Sequence, residues 1–282
     1  MNARKETVDK RKKYVITNHG NLFNSELNAT LLNSDQSVYE VIRIIDGIAL
    51  FLEDHYTRLV SSVQMSGFNF EMDLPEFRHN ILELVRLNQI KNGNVKFILA
   101  EFKKVNQWSF SFISHSYPDT NDYEQGVKAE LLFAERENPN AKIIQNVIRE
   151  RANQMIADQE LYEVLLVDRD GLITEGSRSN VFFVKGNRFY TAPAYQVLVG
   201  VTRQKVLQCL TELGFAIIEE AVLASEINKY DAVFLTGTSP KVLPVRSIGK
   251  QVFNTQWLVL KEIMNQYNSM IDNYLKTQNL FQ

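Results

Sequence analysis

The spacing of hydrophobic and polar positions predicts strands alternating with helices along most of the chain. Residues in the first third mix strand-like and helix-like patterns. A polar, turn-rich segment, SHSYPDTNDYEQG, then interrupts them before the strand-like run KAELLFAE. We therefore expect a domain boundary near residues 117 to 125, with a smaller N-terminal domain over residues 1–120 and a larger C-terminal domain over residues 121–282.

The second part of the chain contains more predicted strands than helices. A helix is predicted around IIQNVIRERANQMIA, and it is followed by the strands LYEVLLVD, GLIT, NVFFVKG and RFYTAP. Another helix follows Thr202 and ends at Gly214, a residue type that favours the left-handed position past a helix end. The strand AIIEEAV, the short helix ASEINKY and the strand DAVFLTG come next. The terminal helix has an apolar face formed by Leu258, Leu260, Ile263, Met264, Tyr267, Met270 and Ile271. This order indicates an α+β or barrel-like domain rather than a doubly wound sheet.

Composition favours a globular enzyme that acts on small molecules. The 282 residues are 45% hydrophobic and 23% charged, close to the globular average. The formal net charge is −2, so no overall positive field attracts nucleic acid or anionic lipid. We expect neither nucleic acid nor a membrane as a partner.

Cysteine and histidine usage narrows the chemistry. The single cysteine, Cys209, excludes an internal disulfide, and its place in the apolar stripe of a helix favours a buried structural thiol. The four histidines lack metal-ligand spacing, so we expect no metal site. No apolar stretch follows the basic residues 5–13, and no run of about 18 apolar residues occurs. Cytoplasm is the expected compartment.

Three short segments could together hold a phosphate-bearing group. In LVGVTRQKVL, Gly200 permits close backbone approach and Thr202 could cap a helix whose N–H groups favour a phosphate. The turn TGTSP at 236–240 could direct amides and hydroxyls at an anion. In LITEGSRSN, Glu175 directly follows a short strand. An ordinary capped helix, a plain turn and a solvated acid are the commoner explanations of each feature alone.

Lys142 differs from the other lysines in its position. It follows the turn NPNA and precedes the apolar helix face Ile144, Val147, Ile148 and Met155. Burial there would lower its pKa and free the amine to form an imine.

The stretch from Lys142 to Arg246 resembles class IV aminotransferases, the family of branched-chain and D-amino-acid aminotransferases and aminodeoxychorismate lyase. The motifs LVDRDGLITEGSRSNVFFV, GVTR and DAVFLTGTSPKVLPVRS appear in the family's order, and SVYEVIRIIDG with FLEDHYTRLVSS match in the N-terminal half. The resemblance covers about residues 17 to 255. It implies a two-domain α+β fold with a smaller α/β N-terminal domain, a larger barrel-like C-terminal domain and pyridoxal 5′-phosphate (PLP) as cofactor.

The resemblance also implies a role for each matching residue. Lys142 resembles the lysine that forms the Schiff base and moves the substrate proton, and Glu175 resembles the carboxylate that pairs with the pyridine nitrogen. Arg58, the amides of Val201 and Thr202 and the hydroxyl of Thr238 resemble the phosphate ligands. Tyr39, Thr238 and Ser239 match positions beside the substrate. His55 is expected to support Arg58.

Several positions depart from the family pattern. The segment NSDQS replaces a glycine-rich phrase near Tyr39, Lys241 stands where glutamate is common, and Val147 replaces a tyrosine of branched-chain enzymes. The strand KFILAEFKKVNQW lacks the expected Tyr-x-Arg or arginine-histidine pattern. Lys103, Lys104 or Trp108 could replace it, although a solvated edge strand is the simpler interpretation.

The leading hypothesis is an aminotransferase that moves an amino group between an amino acid and a 2-oxo acid through Lys142. The resemblance further implies a homodimer. Two alternatives remain: aminodeoxychorismate lyase, which releases pyruvate and 4-aminobenzoate, and a PLP-binding homologue that has lost turnover.

Overall fold

The computed structural model describes residues 14–23, 37–102, 105–136, 139–143 and 146–280, and the chain divides into two compact units. Unit 1 comprises residues 1–116, 141–144 and 273–282, and unit 2 comprises residues 117–140 and 145–272. The chain therefore returns to unit 1 briefly around Lys142. A domain division between residues 120 and 121 stays a prediction.

Unit 1 contains a six-stranded antiparallel sheet in the order β2-β1-β6-β5-β3-β4. Its strands are β1 (Tyr14–Thr17), β2 (Gly20–Phe23), β3 (Ser37–Ile45), β4 (Ile48–Ala49), β5 (Gly93–Phe102) and β6 (Val105–Ile113), and its helices are α1 (Leu52–Ser66) and α2 (Leu74–Asn88). Asp73 caps α2 by accepting from the Glu76 N–H at 2.8 Å, and Pro75 suits the first turn of a helix.

One face of this sheet forms the core of unit 1. Side chains of a strand alternate between the two faces, so Val38 and Ile42 of β3 point the same way as Phe97 of β5 and Phe110 of β6. They pack with Leu59 of α1 and other apolar residues of both helices. Residues at odd positions of β3 therefore lie on the other face.

Unit 2 contains a mixed ten-stranded sheet. Nine strands run in the order β12-β11-β10-β14-β15-β7-β8-β9-β13, and β16 pairs with β15. The strands are β7 (Val127–Phe133), β8 (Glu163–Val167), β9 (Leu172–Gly176), β10 (Asn180–Lys185), β11 (Arg188–Tyr190), β12 (Ala216–Ile218), β13 (Val222–Leu223), β14 (Ala232–Gly237), β15 (Lys241–Ile248) and β16 (Gln251–Val252). The helices are α3 (Thr120–Gln125), α4 (Asn146–Asp158), α5 (Val201–Glu212) and α6 (Leu258–Asn279), and the last residues of α6 belong to unit 1. The predicted α+β class is confirmed.

Most predicted elements of unit 2 are present, with local differences. Gly214 has a φ of 75° and follows α5 as expected. The predicted strand AIIEEAV is two short strands, and ASEINKY is a 3₁₀ helix over Ala224–Lys229. The terminal helix buries Leu260, Ile263, Tyr267 and Ile271. Leu258 was wrongly placed on that face, because it starts the helix and is 81% exposed.

The predicted apolar face of α4 is also partly wrong. Val147 is 72% exposed, whereas Ile148, Ala152 and Met155 pack against β7 and β8 residues. Successive helix positions are rotated by about 100°, so Val147 lies outside the stripe that its neighbour starts. Ile144 lies outside the described residues.

The segment KFILAEFKKVNQW is not an edge strand. It forms parts of β5 and β6, and β5 is hydrogen-bonded on both sides, to β3 and to β6. Lys103 and Lys104, residues 33–36 of NSDQS and the basic residues 5–13 lie outside the described residues.

Across the described ranges, no helix combines the length and apolarity needed to cross a bilayer.

Candidate active site

Lys142 of unit 1 is held against the outer edge of β3. The Tyr39 N–H donates to the Lys142 carbonyl at 3.0 Å, and Ile143 bridges Val38 in antiparallel fashion. The Lys142 N–H donates to the buried Ser62 hydroxyl at 3.2 Å. Opposed residues of paired strands project to the same side. The Lys142 side chain accordingly lies with Tyr39, and its Nζ is 4.8 Å from the centroid of the Tyr39 ring.

Arg58 of unit 1 is fixed by a buried carboxylate. Glu40 is fully buried on β3 and accepts from Arg58 Nε at 2.9 Å and from Arg58 Nη2 at 2.5 Å. Such a two-point bond orients the planar guanidinium. The Arg58 side chain is 11% exposed.

His55 contacts the same carboxylate. Its Nδ1 is 3.1 Å from Glu40 Oε1 and 3.4 Å from Arg58 Nη2. Burial lowers the pKa of His55, although Glu40 acts to raise it, so the neutral ring is favoured. Burial acts to raise the pKa of Glu40, but Arg58, His55 and Lys142 together hold it well below its usual value. Glu40 is therefore a carboxylate at any ordinary pH.

Glu175 of unit 2 is a buried carboxylate whose two oxygens have different neighbours. It lies within β9 rather than after a strand, which corrects the sequence-based placement, and it is 3% exposed. Arg136 Nε is 3.2 Å from Oε1. Asn180 Nδ2 and the Leu198 N–H lie 3.4 and 3.3 Å from Oε2. The carboxylate thus has an ion-pair contact without hydrogen-bond geometry at Oε1 and two long hydrogen bonds at Oε2.

Asn180 connects this carboxylate to the loop that begins α5. Its Nδ2 donates to the Leu198 carbonyl at 2.9 Å, and its Oδ1 lies where a β-carbon on Gly200 would stand. Thr236 pairs with Asn180 across β10 and β14. The Thr236 hydroxyl is buried and makes no hydrogen bond to the residues that the structure describes. A polar atom of this kind indicates room for a further hydrogen-bonding group.

The first turn of α5 presents backbone amides without a capping side chain. The helix begins at Val201, and Gly200 is the N-cap residue. Thr202 was wrongly predicted as the cap, because it lies inside the first turn and is buried. The amides and the helix dipole at such an end favour an anion.

Glu163 shapes the loop between β9 and β10. Its buried side chain accepts from the Ser177 hydroxyl at 2.6 Å, the Ser179 hydroxyl at 2.8 Å and the Arg178 N–H at 3.2 Å. Gly176 lies so close that a β-carbon there would be 3.0 Å from the Glu163 carboxylate. The loop that joins Glu175 to Asn180 is therefore wound around one carboxylate.

Thr238 and Ser239 lie half-buried in the turn that joins β14 to β15. Lys241 follows them in a left-handed conformation, with a φ of 57°. Its Nζ is 3.3 Å from Asn268 Oδ1 of α6. Lys241, which stands where glutamate is common in the family, thus contacts α6.

Trp108 belongs to the core rather than to the Tyr39 side of the sheet. It packs edge-on against Phe110 at 5.7 Å and borders the apolar cluster of unit 1. Its proposed role near the substrate is therefore wrong, because its position on β6 directs it to the core face.

The structure groups the predicted residues within each unit. Tyr39, Arg58 and Lys142 gather around β3 in unit 1, while the acid Glu175 lies beside the start of α5 in unit 2. Sequence reasoning missed the contacting residues Arg136, Asn180, Glu163 and Glu40. Asn180 ends the motif EGSRSN and opens a strand, where its residue type is unusual, and this signal could have identified it.

Cys209 is buried as predicted. Burial, with a smaller effect of Glu212, raises the pKa of its thiol to about 11. Reactive thiolates have lowered pKa values, so a structural role fits. Among the described residues, no cluster of three or more histidine, cysteine or acidic side chains suits a metal, and the absence of a metal site stays a prediction.

Comparison with known proteins assigns the chain to a family. The family model for amino-transferase class IV matches residues 37–248. D-alanine aminotransferase from Bacillus licheniformis is 31% identical over 77% of this chain and 81% of its own length. A putative branched-chain-amino-acid aminotransferase from Methanocaldococcus jannaschii is 26% identical over 78% of this chain and 81% of its own.

Solved structures share the fold. Branched-chain amino acid aminotransferase from Escherichia coli has a TM-score of 0.82 and 22% identity, covering 93% of this chain and 95% of its own. A putative 4-amino-4-deoxychorismate lyase from Legionella pneumophila has a TM-score of 0.76 and 19% identity, covering 83% and 91%. The chain therefore belongs to the amino-transferase class IV family. It is a PLP-dependent aminotransferase.

The side chains present fit this cofactor. PLP needs a primary amine, cationic or amide donors for its phosphate and a carboxylate for its pyridine nitrogen. The described residues include groups of each kind: the Lys142 amine, the Arg58 guanidinium, the uncapped start of α5 and the buried Glu175 carboxylate.

Proposed function

We propose that this enzyme moves an amino group between an amino acid and a 2-oxo acid, with Lys142 as the residue that carries PLP. The observation behind this proposal is the placement of the Lys142 amine. It lies 4.8 Å from the Tyr39 ring centroid, and its backbone is tied to β3 and to Ser62. A lysine fixed in this way presents its amine reproducibly.

PLP, when bound, supplies an electron sink for the substrate α-carbon. Glu175 would hold the proton on the pyridine nitrogen, and Arg136 and Asn180 would keep its oxygens oriented. Lys142 would move the proton of the substrate α-carbon with its ε-amine.

The phosphate would be bound by Arg58, by the amides of Val201 and Thr202 and by the Thr238 hydroxyl. Glu40 supports this role because it leaves the guanidinium in one orientation. The uncapped first turn of α5 supplies the amides.

Tyr39, Thr238 and Ser239 would face the substrate. We further propose that the enzyme acts as a homodimer in the cytoplasm. The single cysteine of the chain, which excludes internal disulfides, is consistent with that compartment. Sedimentation equilibrium of the PLP-loaded protein tests the dimer, and a monomer at micromolar concentration would contradict it.

Borohydride reduction of the PLP-loaded protein, followed by peptide mapping, tests the lysine. The cofactor should be fixed to the peptide that contains Lys142, and Lys142→Ala should lose both this adduct and turnover. Lys91→Ala, an exposed lysine of the same unit, is the matched control. Normal turnover by Lys142→Ala would remove the assignment.

The reaction itself is tested with a panel of L- and D-amino donors, with and without 2-oxoglutarate. An aminotransferase needs the acceptor for continued turnover. Its kinetics are ping-pong because the enzyme keeps the amino group after the first product leaves and before the acceptor binds. Pyruvate release without any acceptor would instead identify a lyase. Loaded protein that turns over no donor would indicate a lapsed homologue.

A further inference from the structure

The face of the unit 1 sheet opposite the core has an unusual charge pattern. The register pairs Tyr39 with Ile98 and Val41 with Lys96, so these four side chains lie on one side of the sheet. Tyr39, Ile98 and Ala100 form a small buried apolar cluster there, with Val41 packed against it. Lys96 is the polar neighbour of this cluster and is half-buried.

Lys96 and Lys142 approach the same aromatic ring. Lys96 Nζ is 5.2 Å from the Tyr39 ring centroid, and Lys142 Nζ is 4.8 Å from it. Both distances are within the range of a cation–π contact. Lys96 and the amine proposed to carry the cofactor therefore border the same ring.

Hydroxyl groups lie next to Lys96 on the adjoining strand. Ser111 of β6 is directly opposite Lys96, and Ser109 is directly opposite Ile98. Both serines are buried, with exposures of 8% and 1%. An ammonium group with three N–H donors and a nearby hydroxyl form a donor set that matches the acceptor-only oxygens of a carboxylate.

Two basic side chains of β3 and β5, Arg43 and Lys96, lie on this face. Arg43 pairs with Asn94 and so lies on the same side, diagonal to Lys96. Within the described residues of β3, β5 and β6, Glu40 and Glu101 occupy core-face positions, and no aspartate or glutamate projects to the Tyr39 side. Cations gathered on one face favour an anionic ligand.

We propose that Lys96 is a specificity-determining residue that binds the side-chain carboxylate of a dicarboxylic amino acid or 2-oxo acid, with help from Ser111. The inference rests on the proposed function, in which Lys142 carries PLP and Thr238 and Ser239 face the substrate. Lys96 and Lys142, placed beside one ring, then separate two tasks: Lys96 binds the distal end of the substrate and Lys142 reacts at the α-carbon. The preferred substrates are accordingly acidic.

The test is calorimetric titration of the PLP-loaded protein with glutarate and with butyrate, which is glutarate with one carboxylate replaced by hydrogen. Wild-type protein should bind glutarate more tightly than butyrate. Lys96→Met should lose about tenfold or more in glutarate affinity, because one charged hydrogen-bond partner is removed, and should keep its butyrate affinity. Lys96→Arg should retain most of the glutarate affinity.

Lys91→Met, which removes an exposed lysine just before β5, is the control for net charge and should behave as wild type. Turnover adds a second readout: Lys96→Met should raise KM for 2-oxoglutarate with little change in kcat. Equal glutarate affinity in Lys96→Met and wild type would overturn the inference, as would parallel losses for glutarate and butyrate. If thermal melting shows that the Lys96→Met protein is unfolded, the Lys96→Gln variant is used in its place.

Failure of this inference differs from failure of the proposed function. Borohydride fixation of PLP at Lys142 in Lys96→Met shows that the cofactor site is intact, whatever glutarate does. If borohydride fixes no PLP at Lys142 of the wild-type protein, the lysine assignment is contradicted instead. The glutarate titration can still be made on that purified protein.

Discussion

The side-chain oxygen of Asn180 occupies the space that a β-carbon on Gly200 would need. Gly200 has a φ of −66°, which any residue adopts, so the lack of space and not the backbone angle requires glycine there. The contact joins the strand that follows the Glu175 loop to the first turn of α5. The geometry of the two proposed cofactor contacts is therefore coupled.

Gly200→Ala should weaken PLP binding and lower the free energy of unfolding. The methyl group would displace Asn180 or move the start of α5, and overpacking of this kind costs about 1–3 kcal/mol. PLP affinity can be followed by its absorbance, and stability by urea unfolding.

A double-mutant cycle tests the cause. Asn180→Ala removes the side chain that a new methyl group would meet, so Gly200→Ala should be less costly in that background, with a coupling energy of about 0.5–3 kcal/mol. Additive effects of the two substitutions would show that the contact does not limit residue 200.

Arg58→Ala should weaken PLP retention by about 1.5–3 kcal/mol, because a charged hydrogen-bond partner of the phosphate is lost. Glu40→Gln should weaken it less, since the guanidinium remains but its orientation is no longer fixed by two charged bonds. Equilibrium dialysis against PLP measures both effects.

Arg78→Ala is the matched control for these variants. Arg78 pairs with Glu53 at 2.5 Å on the surface of the same unit, and exposed pairs contribute little. Unchanged PLP affinity in Arg58→Ala protein that is still folded would count against the phosphate role.

Glu163→Gln should destabilise unit 2 and disturb Glu175. The amide would place a donor among the hydroxyl and N–H donors that now point at the carboxylate, and the loss of charged hydrogen bonds costs about 1.5–3 kcal/mol. Urea unfolding measures the loss of stability, with the exposed Glu212→Gln as control. Equal stability of the two variants would show that the carboxylate does not organise the loop.

Acidification should destabilise the folded protein in a way that depends on His55. Its pKa is lowered from the ordinary 6.5, so the unfolded chain takes up a proton that the folded chain resists. The free energy of unfolding should therefore fall as the pH drops below 6.5. His55→Asn removes this titration and should flatten the decline between pH 7.5 and 5.5.

Urea unfolding at these pH values compares the free energy of unfolding of wild type with that of His55→Asn. A further loss below pH 4.5 is expected in both proteins, because the depressed pKa of Glu40 makes its stabilising charge vanish only in acid. Identical pH slopes for wild type and His55→Asn above pH 5 would contradict the assignment to His55.

Sequence reasoning succeeded where the signal is local. The strand NVFFVKG and the helix predicted after Thr202 have clear apolar periods, and the structure contains both, with the helix starting at Val201. Glu175, Arg58 and Lys142 were singled out through the motifs that surround them. Their partners depend on which strands pair, and that information is not contained in any single segment.

Lys96 illustrates the limit most clearly. Along the chain it is one lysine in KFILAEF, and alternation alone does not tell which face of the sheet it occupies. The pairing of Val41 with Lys96 places it beside Tyr39, a residue far away in sequence. Pro244 shows the opposite difficulty: its residue type argues against an inner strand, yet it pairs with Phe234 inside β15.

The short return of the chain to unit 1 at residues 141–144 has a consequence for synthesis and for fragment design. A polypeptide that stops at residue 120 would contain Arg58, Tyr39 and Lys96 but not Lys142, the lysine proposed to carry PLP. During translation, Lys142 and Ile143 are synthesised after β7, so they can pair with the edge of β3 only when β7 has already been made. If the chain were expressed as two pieces divided after residue 120, the second piece would have to add residues 141–144 to the β3 edge of the first to restore the contact between Lys142 and Tyr39.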